Sequence, residues 1–266
     1  MKDKRQLAQL FSETSGDHQR QQLFIHHGRR LVGWAGLGPG DHVLDVAAGT
    51  GATLIPAAKR VGPTGRVVGL DIAPGMVAQL SRVIETERLA NASALLGDAE
   101  RLPFDSGSFD ALICAFGLFF FADVAVALAE FRRVLRRGGR LAVATFTEAG
   151  SRSMDRTWAL LGRFAQVPPP ADKARRFDDQ DRLREVLRGA DFEEVELRVA
   201  PYRVVLSDTE AWWQWLRAME FREYIDNLAP AAQADLRAGG RLEFGGGGPG
   251  SISFPMDALF ARARRS

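Results

Sequence analysis

The sequence predicts an α/β chain built on a doubly wound, seven-stranded, mostly parallel sheet, with helices ahead of the first strand and an inserted cap. Three observations predict it. Short β-rich apolar runs alternate with segments of helical periodicity from residue 41 to residue 146. The first run ends in a loop of small residues, Asp45-Val46-Ala47-Ala48-Gly49-Thr50-Gly51, set between strand and helix. Past Phe146 the alternation gives way to helical stretches broken by proline and to a crowded aromatic segment, as expected of an addition to a core.

In order, Leu7, Leu10, Phe11, Leu23, Phe24, Leu31 and Val32 recur at helical spacing and predict two helices parted near Gly16. Gly38-Pro39-Gly40 is a turn, and His42 to Val46 is the first strand. A helix runs to about Arg60, the turn Gly62-Pro63-Thr64-Gly65 follows, and Val67 to Leu70 is the second strand. A helix over Met76–Arg88, strands at Ser93–Leu96 and Asp110–Cys114, a helix over Asp123–Leu135 and a strand at Arg140–Phe146 complete the regular part. Helices are then expected over Met154–Phe164 and Asp179–Leu187, with Pro168, Pro169 and Pro170 between them. A sixth strand is expected within Val195–Leu206, a helix through Trp212–Tyr224, and a final strand at Ile252–Phe260 after the glycine run Gly245–Gly248. This divides the chain into a helical lid (1–40), a core (41–147), a cap with the substrate wall and sixth strand (148–230), and a closing helix and strand (231–266).

Composition narrows the function. With 266 residues, 46% of them hydrophobic, the chain can bury the core of one enlarged domain. No apolar run reaches the roughly 20 residues needed to span a bilayer. The N-terminal charges Lys2, Asp3, Lys4 and Arg5 lead into polar residues, so no signal peptide and no export are expected. Cys114 is the single cysteine, set among apolar neighbours; it excludes an intrachain disulfide, suits a cytoplasmic protein and reads as a buried thiol. A net charge of +2 gives no reason to expect a nucleic-acid partner, and the arginines at 132, 133, 136, 137 and 140 read as solvated helix and strand ends.

The loop's small residues let the backbone turn sharply and approach a ligand. Asp71 ends the next strand about twenty residues on, where a carboxylate can accept hydrogen bonds from both ribose hydroxyls of an adenosine ligand. This spacing alone leaves NAD open, because Ala52 can fill the third glycine position of a dinucleotide loop. A third station, Gly97-Asp98-Ala99-Glu100, adds a carboxylate that can accept from an adenine amine.

Taken together, Val43–Gly51, Gly69-Leu70-Asp71-Ile72, Gly97-Asp98-Ala99, Phe116-Gly117-Leu118 and Arg133–Arg140 resemble the Rossmann-like class I methyltransferases of the ubiquinone/menaquinone-biosynthesis type, over roughly Asp41 to Phe146. The resemblance implies S-adenosylmethionine as cofactor. It implies that Ala47, Gly49, Thr50 and Gly51 border the methionine moiety, with Asp45 bonding nearby backbone or the methionine amino group. Asp71 and Ile72 would hold ribose and adenine, Met76 would pack beside the adenine, Asp98 and Ala99 would read its edge, and Ala115 and Phe116 would floor the methyl site. Arg137 stands where the family usually has proline. The N-terminal helices lack the tyrosine with which many relatives help cover the cofactor carboxylate, so Phe11, Ser12, Phe24 or His18 substitutes for it or the lid works differently.

Methyl transfer from a sulfonium needs alignment more than acid catalysis, so a base is optional. His27 and His26 are the candidate bases for an oxygen acceptor, with Tyr224 and Asp226 as weaker ones. The aromatic stretch from Trp212 to Tyr224, with Tyr202, is expected to wall a small apolar substrate, aromatic or polyketide-like. A base-flipping methylase is disfavoured because no Asn-Pro-Pro-Tyr-like tetrad is present, and arsenite chemistry because it uses several cysteines. A hydride-transferring enzyme needs a tyrosine–lysine pair, which Tyr202 and Tyr224 do not offer. A cofactor-bound protein that promotes a cyclisation without moving the methyl group stays open as the alternative.

Overall fold

The computed structural model describes residues 4–13, 18–164, 177–219, 221–245 and 250–266. The proline run at 168–170 and the glycines at 246–248 lie outside them. Two helices, α1 (Lys4–Glu13) and α2 (His18–Trp34), precede β1 (His42–Val46), α3 (Leu54–Val61), β2 (Arg66–Asp71), α4 (Pro74–Thr86) and β3 (Ala92–Leu96). Then come β4 (Phe109–Ala115), a 3₁₀ turn (Leu118–Phe120), α5 (Val124–Val134) and β5 (Leu135–Phe146). The remainder comprises α6 (Glu148–Gly162), α7 (Gln180–Gly189), β6 (Phe192–Ala200), β7 (Arg203–Leu206), α8 (Thr209–Ala218), α9 (Arg222–Asp226), α10 (Pro230–Phe244), β8 (Ile252–Pro255) and β9 (Ala258–Arg265).

The main sheet has seven strands in the order β3-β2-β1-β4-β5-β9-β6. The pairings among β1 to β5 are parallel, and β9 runs antiparallel to both its neighbours. Strand order reverses between β1 and β4, so a crevice opens at their carboxyl ends, where such sheets bind ligands. The central strands carry runs such as Leu112-Ile113-Cys114 that are wholly buried, because helices cover both faces.

Two expected strands each proved to be two. The chain bends at Pro201, which has no N–H to give to a ladder, so β6 stays in the main sheet while β7 pairs with β8 in a separate two-stranded sheet. The partner segment bends at the same level, at Met256 and Asp257. The Met256 N–H donates to the Tyr202 carbonyl (2.8 Å) and the Tyr202 N–H to the Asp257 carboxylate (2.8 Å), fastening the two bends together. The expected final strand at Ile252–Phe260 is therefore split, and β9 closes the main sheet.

Helix α2 lies across the loop after β1. A side chain on Gly28 would overlap the Ala52 carbonyl, so only glycine lets the helix come this close. Among the described residues no helix is long and apolar enough to cross a membrane.

Candidate active site

The loop after β1 owes its shape to left-handed backbone at Ala47 (φ 56°), Gly49 (φ 53°) and Gly51 (φ 96°). Gly51 is fixed by sterics as well, since a Cβ there would sit 2.8 Å from Leu80 Cδ1. Gly49 differs: a Cβ there would meet nothing within 4 Å, so its outer side faces open space. Ala47 adopts this conformation without glycine's freedom, at a cost of about 1–2 kcal/mol. Phe116, just past β4, does the same (φ 57°). The two strained residues border one spot, because a Cβ on Gly117 would lie 2.8 Å from Ala47 Cβ. Strain of this kind clusters at functional sites, where the surrounding fold holds it.

Three aspartates stand at the ends of β1, β2 and β3. Asp45 is fully buried; its Oδ2 accepts from the Thr53 hydroxyl at 2.6 Å, and Oδ1 has no hydrogen-bond partner among the described residues. Burial pushes its carboxyl up to about 7; the Thr53 bond opposes this and the nearby Asp71 reinforces it. Asp71 accepts from the Gly49 N–H (2.8 Å) with one oxygen and from the Ala73 N–H (2.9 Å) with the other, tying β2 to the loop. Ile72 beside it is half-buried, and Met76 in α4 is buried. Asp98 accepts from the Glu100 N–H (3.0 Å) and pairs with Lys4 Nζ (2.6 Å); Ala99 is buried next to it. The structure thus gathers Asp45, Ala47, Gly49, Thr50, Gly51, Asp71, Ile72, Met76, Asp98 and Ala99 along one edge, with Ala115 and Phe116 next to them at the end of β4.

A methyltransferase-domain family model matches residues 43–139. The nocamycin O-methyltransferase of Saccharothrix syringae is 30% identical over 91% of this chain and 92% of its own. The aklanonic acid methyltransferase DauC of Streptomyces sp. (strain C5) is 38% identical over 62% of this chain and 71% of its own. The chain belongs to the class I S-adenosylmethionine-dependent methyltransferases. The likeness extends to the ubiquinone/menaquinone C-methyltransferase of Dinoroseobacter shibae, 32% identical over 63% of this chain and 72% of its own. The fold is shared with the YcgJ protein of Bacillus subtilis (TM-score 0.60, 21% identity, covering 91% of this chain and 99% of that one). The cofactor is S-adenosylmethionine. The donor set suits it: carboxylates at successive strand ends, an unsatisfied buried Asp45 oxygen, and a glycine loop open on the ligand side.

The acceptor side of the methyltransferase differs from the sequence reading in two ways. His27 is fully buried, and its Nε2 lies 2.9 Å from the Met256 carbonyl, so that nitrogen carries the proton and donates it. Burial drives its pKa down to about 4, with the Met256 bond opposing and His26 and Arg30 adding to the fall. The Met256 bond makes this imidazole a pin between α2 and the bend before β9; its basic nitrogen is Nδ1, which is buried and has no hydrogen-bond partner among the described residues. His26 is half-buried, tilts over the Tyr202 ring at 4.5 Å, and is likewise made less basic by burial and by Arg30. Tyr224 packs edge-on against Trp158 (4.9 Å), and Asp226 pairs with Arg217 (3.0 Å) on the surface.

Second, Trp212, Trp213 and Trp215 are the cap's own core. Trp212 lies against α10 so closely that a Cβ on Gly240 would overlap its ring, and Trp215 packs on Phe254 at 5.0 Å. The aromatic surface at the crevice comes instead from phenylalanines: Phe116 touches Phe24 of α2 (5.2 Å) and Phe146 of β5 (4.7 Å). Sequence reasoning missed Phe119, Phe120 and Phe146 in this role, although the run Phe119-Phe120-Phe121 two residues past Gly117 was a signal. It also missed Lys4, for which one sequence offers none, and Thr53, whose place eight residues past Asp45 follows from the loop closing on itself.

Proposed function

We propose that this methyltransferase moves the methyl group of S-adenosylmethionine to an O, C or N atom of a small apolar metabolite, aromatic or polyketide-like. The observation that carries the reading is the seam at the switch point. Asp71 and the open Gly49 stand on one side of it, and Ala115 and Phe116 stand on the other.

Asp71, which its bonds from the Gly49 and Ala73 N–H groups hold at the end of β2, would accept from the ribose hydroxyls. Ile72 and Met76 would cover the adenine, and Asp98 with the Ala99 N–H would read its edge. Ala47, Gly49, Thr50 and Gly51 would border the methionine chain, and the unsatisfied Asp45 oxygen would face its ammonium. Bound S-adenosylmethionine supplies an electrophilic methyl group whose leaving group departs as a neutral thioether. The chain's own part is to hold the acceptor in line, exclude water with phenylalanine rings and present a fixed floor at Phe116; such positioning can supply about 7–11 kcal/mol of the barrier. The acceptor's proton passes to solvent, since burial makes His27 and His26 weak proton acceptors. Relatives named for aklanonic acid and nocamycin support a small metabolite as acceptor. The chain is expected to work in the cytoplasm without a nucleic-acid partner.

Calorimetric titration with S-adenosylmethionine and its demethylated product, with NADH as control, tests the reading. Binding of the first two without the third is expected, and binding of NADH alone would overturn it. Demethylated cofactor released in step with product separates methyl transfer from a cofactor-bound cyclisation, which would release none.

A further inference from the structure

Resting on that reading, we propose that the acceptor site is completed by α1, and that Phe11 on this helix is its specificity-determining residue. Ring contacts form an unbroken arc: Phe11 to Phe120 (4.9 Å), Phe120 to Phe119 (4.6 Å), Phe119 to Phe146 (6.0 Å), Phe146 to Phe116 (4.7 Å) and Phe116 to Phe24 (5.2 Å). The arc starts on α1, follows the carboxyl ends of β4 and β5, and ends on α2. Its middle members Phe116, Phe119 and Phe146 are buried and cannot adapt, whereas Phe11, Phe120 and Phe24 are half-buried and so can touch a ligand. A wall of aromatic faces and edges selects a planar, uncharged ring system.

Helix α1 is ten residues long, too short to be stable by itself, so its place depends on what it docks against. Contacts with the end of β3, α4 and the turn after β4 dock it. Lys4 Nζ meets Asp98 (2.6 Å) and Glu100 (3.0 Å). The Gly75 N–H at the start of α4 donates to the Ser12 hydroxyl at 3.0 Å. A Cβ on Gly75 would lie 2.6 Å from Ser12 Cα, so the glycine admits the helix. Phe11 also packs on Phe120. The helix therefore rests on the strand end assigned to the adenine and supplies the last ring of the acceptor wall. The sequence places Phe11 next to Ser12, so the latch on α4 and the wall move together.

The test uses the full chain, with S-adenosylmethionine binding read by calorimetry and 1-hydroxyanthraquinone as the acceptor probe, titrated at saturating demethylated cofactor. Phe11→Ala is expected to weaken probe binding about tenfold, the value of a lost aromatic contact and its buried area, and to leave cofactor affinity within about twofold. Phe11→Trp is expected to restore the probe. Phe120→Ala removes the same contact from the other side, so the double variant should weaken binding less than the two losses combined. Failure of the wild type to bind S-adenosylmethionine would sink the functional reading and this proposal with it. Normal cofactor binding with no probe binding, or with probe affinity unmoved by Phe11→Ala, would overturn this proposal alone.

Discussion

The carboxyl ends of β1, β2 and β3 carry aspartates, whereas those of β4 and β5 run into phenylalanines. One sheet edge is thus divided at its switch point into a polar half and an apolar half. The polar half is built mainly from local chain: each carboxylate takes backbone N–H groups or a hydroxyl within a few residues or from the neighbouring loop, and Asp98 adds a distant partner in Lys4 of α1. The apolar half is assembled from distant chain, with rings from α1, α2, the turn after β4 and the end of β5. A hydrogen-bonded ligand needs fixed donors and acceptors at set spacing, which short loops provide. An apolar acceptor needs only a surface of the right shape, which any converging segments can provide.

The largest expected effect tests whether the cap's tryptophans belong to the apolar half. Trp212→Ala should cost about 3–5 kcal/mol of stability, as for other buried tryptophans, and lower the Tm accordingly. The acceptor KM, measured where the variant is still folded, should stay unchanged. A raised KM at full folding would extend the substrate wall into the cap and break the two-half description.

Next, Asp71→Ala removes the ribose acceptor and the anchor of the Gly49 N–H together. Loss of a charged hydrogen-bond partner costs roughly 1.5–3 kcal/mol, so S-adenosylmethionine should bind about 10–100-fold more weakly by calorimetry. An affinity within about twofold of wild type would remove Asp71 from the ribose.

This division also explains what one sequence could reveal. Asp45, Asp71 and Asp98 were legible because each closes a β-run at a spacing that chain geometry fixes. Ala47, Gly49 and Gly51 were legible because their smallness has a local backbone reason. The strand rhythm gave the sheet, but not that Pro201 would send β7 and β8 into a sheet of their own, because that depends on which distant segment bends at the same level. Crowding of Trp212, Trp213 and Trp215 looked like a ligand wall. Only the approach of α10 through Gly240 identifies it as core. His27 stands on a helix leading to the site; that it also pins α2 to the bend before β9 was not legible, because the Met256 carbonyl it meets lies 229 residues away.

A smaller effect separates Asp45 from its two fellow acids. Burial disfavours the charge and pushes its carboxyl up to about 7 in the fold, from the ordinary 3.8. Between those values the unfolded chain has lost a proton that the folded chain keeps. The contribution to stability is therefore full below about pH 4 and is lost as pH rises through 7. Asp45→Asn cannot titrate, so the Tm of wild type minus variant should fall between pH 5 and pH 8. A change of 1 kcal/mol corresponds to roughly 2–4 °C for a chain of this size. A difference flat across that range would mean the carboxyl is ionised throughout and already compensated.

The smallest expected effect on rate is that of His27→Gln, a change that keeps a side-chain N–H for the Met256 carbonyl. Because the folded imidazole titrates near 4 rather than 6.5, it is neutral across the working range. Its contribution to stability is full above 6.5 and is lost as pH falls toward 4, since the unfolded chain takes up the proton first. The variant should accordingly turn over within about twofold of wild type, with a superimposable pH–rate profile from pH 5.5 to 8. A large loss of turnover that high pH repairs on a phenolic acceptor would place a working base in the apolar half. The seam between aspartates and phenylalanines would then be a divided labour of binding alone, with proton transfer crossing it.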